Sequence, residues 1–167
     1  MAYDVLIKNG KVIDGSGMPA FQGDVAVKDG KIAEIGKLSG AADQVVDVGG
    51  QVIAPGFIDN HCHYDAQVTW DPMCSFSCDH GATSVVIGNC SLSLAPVKKG
   101  KEQRMAEFLS YVEAIPMEVL NTIEVDWETF PQYMDKLDKN LGVNVGTLIG
   151  HTAVRYYVMG DACQVRA

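Results

Sequence analysis

Long apolar runs are missing from this 167-residue sequence. No segment approaches the roughly 18 to 20 consecutive apolar residues that a bilayer-crossing helix needs, so no membrane partner is expected. The N-terminal run Met1-Ala-Tyr-Asp-Val-Leu-Ile-Lys-Asn9 has neither the basic region nor the apolar core of a signal peptide. Basic residues are also scarce: 13 Lys and Arg stand against 21 Asp and Glu, a formal net charge of −8. Nucleic acids and anionic membrane surfaces both reward a basic face, so neither is an expected partner. The cysteines, at 62, 74, 78, 90 and 163, are odd in number and share no repeated spacing, which argues against a disulfide framework. A cytoplasmic, reducing location is the default expectation, and it suits a thiolate metal ligand. What remains is ordinary for a globular chain of one or two small domains, 47% hydrophobic and 20% charged.

The richest stretch is Pro55-Gly-Phe-Ile-Asp-Asn-His-Cys-His-Tyr-Asp65. A short apolar run after Pro-Gly reads as a buried strand, here with polar groups at its C-terminal end. Side chains alternate along a strand, so His61 and His63 point one way and Cys62 the other. Asp59 shares the histidines' parity and is placed to orient one of them. The alternative is a plain pair of hydrogen-bonded histidines, because His-x-His alone is a weak signal. A second β-branched run, Ser84-Val-Val-Ile-Gly-Asn-Cys90, also stops at a residue with metal-ligand chemistry. Two adjacent parallel strands with such ends converge at the C-terminal face of a barrel.

Residues 3–54 read as short strands, Asp4 to Lys8, Lys11 to Asp14, Asp24 to Lys28, Lys31 to Ile35 and Gln44 to Val48. Breaks at Asn9-Gly10, Asp14-Gly15, Asp29-Gly30 and Ser39-Gly40 suit hairpins, predicting a small antiparallel β-unit. From Ile53 onward strands alternate with helices. Phe57 to Asn60, Thr83 to Gly88 and Val143 to Ile149 are nearly continuous in apolar residues, as buried parallel strands are. Met105, Phe108, Leu109 and Val112 define one apolar helix face, and Phe130, Tyr133, Met134 and Leu137 another. Pro131 requires the second helix to begin close to Thr129.

Several residues carry two readings. His151, after Leu148-Ile-Gly150, is either a substrate contact at the barrel mouth or a helix-start histidine bonded to local backbone. Tyr64 and Asp65 are candidates to line a pocket, and Tyr64 is taken with His151 as a candidate substrate-binding residue. Arg155 is either a substrate-carboxylate partner or an ordinary salt bridge, whereas Cys74, Cys78 and His80 read as structural.

The run Pro55-Gly-Phe-Ile-Asp-Asn-His-Cys-His-Tyr-Asp-Ala-Gln67, with Trp70-Asp-Pro72, Gly88-Asn-Cys90, Ser93-Leu-Ala-Pro96, Gly150-His-Thr-Ala153 and Val158-Met-Gly160, resembles the D-aminoacylase (N-acyl-D-amino-acid deacylase) branch of the amidohydrolase superfamily. The resemblance covers essentially the whole chain. It implies an α/β architecture, the first three strands of a (β/α)8 TIM-type barrel over residues 55–167, preceded over 1–54 by part of a β-sandwich. It also implies a centre of one or two Zn2+ ions, with His61, His63 and Cys90 as ligands and Cys90 the tight or bridging one. The implied reaction is hydrolysis of an N-acyl amide bond, with N-acyl-D-amino acids as small-molecule substrate and a metal-activated hydroxide as nucleophile. The family's general acid/base aspartate belongs to a later strand, so no catalytic residue is assigned here. Asp79, where the family usually has an aromatic, and Cys62, where it has threonine, leave the ligand set intact but loosen the inference about substrate. A full barrel needs eight strands and about 250 residues. We therefore expect a second polypeptide to bring the remaining strands and ligands, a truncated fragment being the alternative. The competing functional readings are a hydrolase of a cyclic amide or diketone, and a non-catalytic scaffold subunit.

Overall fold

A computed structural model of the chain describes residues 2–164. In chain order it contains β1 (Tyr3–Val12), β2 (Phe21–Lys28), β3 (Lys31–Gly36), β4 (Ala42–Asp47), β5 (Val52–Ile53), β6 (Phe57–Asp59), α1 (Ser75–Asp79), β7 (Ala82–Ile87), α2 (Glu102–Glu113), α3 (Met117–Leu120), α4 (Phe130–Leu137), β8 (Asn144–Thr147) and α5 (His151–Met159). The chain divides into two compact units, one ending at Pro55 and the other starting at Gly56. No helix among the described residues is long and apolar enough to cross a membrane.

The first unit is one mixed sheet of order β3-β2-β1-β4, with β5 also on β1. The expectation of an antiparallel unit holds for β1 against β2 and β2 against β3. It fails for β4 and β5, which run parallel to β1. The Asp29-Gly30 hairpin forms as its residues dictate, with φ of 51° and 70° at the two central positions. Asn9-Gly10 does not. Asn9 takes φ 60°, its backbone N–H donates to Asp24 Oδ1 at 2.8 Å, and the register shifts between Ile7 and Gly10 while the strand continues. The dipeptide thus builds a bulge inside one long strand, because a side-chain acceptor captures the amide that a turn would have left free.

The second unit carries a parallel sheet of order β6-β7-β8. Central β7 buries Val85 and Ile87 almost completely on one face and partly buries Val86 on the other, consistent with its β-branched sequence. The third strand is shorter than expected, but Leu148 N–H still donates to the Ile87 carbonyl beyond β8 at 2.9 Å. α4 starts where Pro131 requires. Thr129 is its N-cap, in a reciprocal capping box with Gln132. Tyr133 and Leu137 are buried on its inner face, and Tyr133 stacks at 5.2 Å on Trp127, whose indole N–H donates to the Leu94 carbonyl at 2.8 Å. The face predicted on α2 is narrower than its periodicity: Met105 and Leu109 are buried, but Val112 is 56% exposed.

Candidate metal centre

The two strand ends of the motif lie side by side because β6 and β7 pair in parallel, Ile58 opposite Ser84 and Asp59 opposite Val85. β6 ends at Asp59, before the histidines. His61 to Tyr64 are irregular, tied to β7 by the Cys62 N–H bond to the Val86 carbonyl at 3.2 Å. Strand parity therefore is not what orients the two rings. Asp59 also differs from expectation: its carboxylate accepts the backbone N–H of His61 at 3.1 Å and fixes the chain at that point.

After β7 the chain passes through Gly88 at φ 80° and then puts Cys90 and Ser91 at φ 53° and 67°. Two consecutive non-glycine residues in the left-handed region are costly, and such positions gather at functional sites. A Cβ at Gly88 would collide with the carbonyl of Leu148, so glycine is required for the ends of β7 and β8 to approach. The turn delivers Cys90 Sγ to within 3.2 Å of His61 Nε2.

One donor atom each from His61, His63 and Cys90 lies within 4.8 Å of the others. A tetrahedral ion with nitrogen and sulfur donors separates those donors by about 3.3–3.8 Å, so the cluster fits a divalent cation after small side-chain adjustments. Imidazole and thiolate together are a donor set that zinc accepts. Cys62 is not part of it. Its thiol donates to the Val86 carbonyl at 3.3 Å, and burial, reinforced by the Asp59 charge, pushes it up to about 11. Neither is His151, which opens α5 as an exposed residue with no side-chain hydrogen bond among the described residues. The Tyr64 hydroxyl is engaged with Ser77 Oγ at 2.7 Å, and the residue lines an open cavity of about 490 Å³ with Phe57, Ile58 and Phe76. Nε of Arg155 is buried and has no hydrogen-bond partner among the described residues. His80 is structural, its ring Nδ1 2.7 Å from the Phe76 carbonyl.

Two acidic residues at the site carry more weight than their sequence positions suggest. Asp65 is only 1% exposed. Its Oδ2 accepts the Gly88 N–H at 3.1 Å, its backbone carbonyl accepts the Tyr133 hydroxyl at 2.9 Å, and its Oδ1 has no partner among the described residues. Burial pushes its carboxyl up to about 6. It thus ties the loop bearing the histidines to the loop bearing Cys90. Glu113, which ends α2, brings Oε1 to 3.5 Å from His63 Nδ1. Nothing in the local sequence announces it, because its partner lies in a distant segment.

A sequence model described as the amidohydrolase family matches residues 44–167. D-aminoacylase and N-acyl-D-aspartate deacylase of Alcaligenes xylosoxydans xylosoxydans are each 36% identical over 95% of this chain, and the aligned region covers 31% and 30% of those proteins. The crystal structure of N-acyl-D-glutamate deacylase from Bordetella bronchiseptica, complexed with zinc and a phosphonate mimic of the tetrahedral intermediate, superposes with a TM-score of 0.80 at 33% identity. That match covers 96% of this chain and 32% of the deacylase. The chain therefore spans less than a third of the length of these relatives. The similarities bear out the resemblance drawn from the motifs: this chain belongs to the amidohydrolase family.

Proposed function

We propose that this chain forms the N-terminal part of a zinc-dependent hydrolase that cleaves the amide C–N bond of N-acyl-D-amino acids. The observation that carries the reading is the convergence of His61, His63 and Cys90 at the ends of two paired parallel strands. Zinc held there would supply a Lewis acid for the scissile carbonyl and would lower the pKa of a water toward neutrality. The chain's own residues prepare the place for it. Asp65 clamps the Gly88 turn, Asp59 pins the backbone of His61, and the left-handed turn at Cys90 and Ser91 presents the thiol. His151, exposed at the first helical position of α5, is the residue we assign to a substrate contact.

Further strands complete the site. Among the described residues β6 and β8 each pair on one side only, and Phe57, Ile58, Leu148 and Ile149 beside those edges are more than half exposed. Such edges are normally covered. In our reading they are covered by the remaining strands of a TIM-type barrel, carried on the same polypeptide or on a second one, which also bring further ligands and the aspartate serving as general acid/base.

The test is metal analysis and amine release from paired N-acetyl-D- and N-acetyl-L-amino acids, on the protein purified from its source with any companion chain. Bound zinc and D-selective hydrolysis are expected, both reduced in Cys90→Ala. Unchanged zinc after that substitution would remove Cys90 from the ligand set. Loaded zinc with hydrolysis of cyclic amides alone would move the substrate class. A metal-free, inactive protein would leave only a scaffold role.

A further inference from the structure

His63 has a ring nitrogen that direct ligation does not account for. Nδ1 is buried and has no hydrogen-bond partner among the described residues. The nearest opposite group is Glu113 Oε1 at 3.5 Å, an ion-pair distance rather than a formed hydrogen bond. Both side chains are mostly covered, 24% and 21% exposed.

Glu113 is an awkward residue for its place. It is the last residue of α2, whose final turn has no basic residue, and a carboxylate at a helix C-terminus opposes the helix dipole. Ala114 follows at φ 53°, a left-handed turn that costs a non-glycine residue energy and that redirects the chain once Glu113 has been presented. No lysine or arginine among the described residues pairs with it. A half-buried carboxylate with no basic partner, at the negative end of a helix, is poorly placed unless it faces a donor.

We propose that Glu113 is a positioning residue for the metal centre: its carboxylate holds the His63 proton on Nδ1 and leaves Nε2 free to donate to a divalent cation. The proposal rests on the ligand reading above. A ligating imidazole commonly gives its other N–H to a carboxylate, which sets the tautomer, fixes the ring and raises its basicity. Charge on the ring strengthens that N–H as a donor, so the 3.5 Å separation should shorten when the cation is present.

The experiment is an equilibrium zinc titration against a chromogenic chelator, on the purified protein with any companion chain, alongside thermal unfolding of the metal-free form. Glu113→Ala should weaken zinc binding roughly 10- to 100-fold. Its metal-free unfolding midpoint should stay level or rise, because a carboxylate has been removed from the wrong end of α2. Glu113→Gln, which keeps the shape and one acceptor oxygen, should lose less. Nitrogen-resolved NMR of the zinc-loaded protein should show His63 protonated at Nδ1. Unchanged zinc affinity in both variants overturns the proposal, as does a His63 protonated at Nε2. A loss of affinity that tracks a lowered metal-free midpoint also overturns it, since that marks a structural role. A wild type that binds no zinc, or a Cys90→Ala variant that binds as tightly, defeats the ligand set itself and the proposal with it.

Discussion

Each unit of this chain hides one aspartate, and the two are treated in opposite ways. Asp24, in the first unit, is 8% exposed and both of its oxygens are used: Oδ2 accepts Leu38 N–H at 2.9 Å and Oδ1 accepts Asn9 N–H at 2.8 Å. Those bonds, the Leu38 amide first, hold its carboxyl below the usual carboxylate range. Asp65, in the second unit, is more deeply buried, yet its carboxylate accepts one backbone N–H and Oδ1 has no partner among the described residues, and its carboxyl is pushed up to about 6. The first is a structural acceptor that locks a bulge and a loop. The second is an incompletely satisfied acid beside a ligand cluster, where burial without full compensation is tolerated. Depth and the satisfaction of both oxygens together separate the two roles: burial dominates at Asp65, and the two backbone bonds dominate at Asp24.

The largest expected effect comes from disturbing what Asp65 holds. Gly88→Ala places a Cβ against the Leu148 carbonyl at a backbone angle of φ 80°, so it should cost about 2–5 kcal/mol in urea unfolding and lower zinc content by displacing Cys90. A Gly88→Ala protein of normal stability and metal content would mean that the strand ends tolerate a wider gap than the structure shows. Next comes Asp24→Asn, which turns an amide N–H2 toward one of two backbone donors and should cost about 1–3 kcal/mol. Hydrogen exchange at the Asn9 and Leu38 amides would report it. Because the folded pKa of Asp24 is depressed, its contribution is complete above the unfolded carboxylate value near ~3.9 and is lost as pH falls through the folded value. The stability gap between wild type and Asp24→Asn should therefore close in acid and stay constant at neutral pH; a gap that widened in acid would contradict the assignment. The smallest effect is Asp65→Asn, which keeps an acceptor for Gly88 N–H and should change stability by no more than about 1 kcal/mol. A larger loss would reveal a second partner for Asp65.

What the sequence made legible follows from how local its causes are. The α4 start could be read from Pro131 and Thr129 because capping involves neighbours, and the Asp29-Gly30 hairpin because both residues favour positive φ. Asn9-Gly10 carried the same signal and became a bulge, since Asp24, distant in sequence, supplied the deciding acceptor. The parallel placement of β4 and β5 on β1 had no local signature at all. At the site, His61, His63 and Cys90 were visible as residue types at strand ends. Their meeting depends on pairing between β6 and β7 and on left-handed angles at Cys90 and Ser91, where no glycine advertises the turn. Glu113 was invisible because a helix-terminal glutamate looks like a solvated charge until tertiary structure sets His63 beside it.

The indole that caps the Leu94 carbonyl has one more consequence. The chain has two tryptophans, buried Trp127 and half-exposed Trp70, and both belong to the unit that starts at Gly56. Tryptophan fluorescence therefore watches the ligand-bearing unit alone, with Trp127 emitting from a dry environment and moving to the red when that unit opens. Melting of the first unit is silent in that signal while it remains visible in far-ultraviolet dichroism. Comparing the two signals on a single sample asks whether the five-stranded sheet and the ligand-bearing unit unfold together or one after the other.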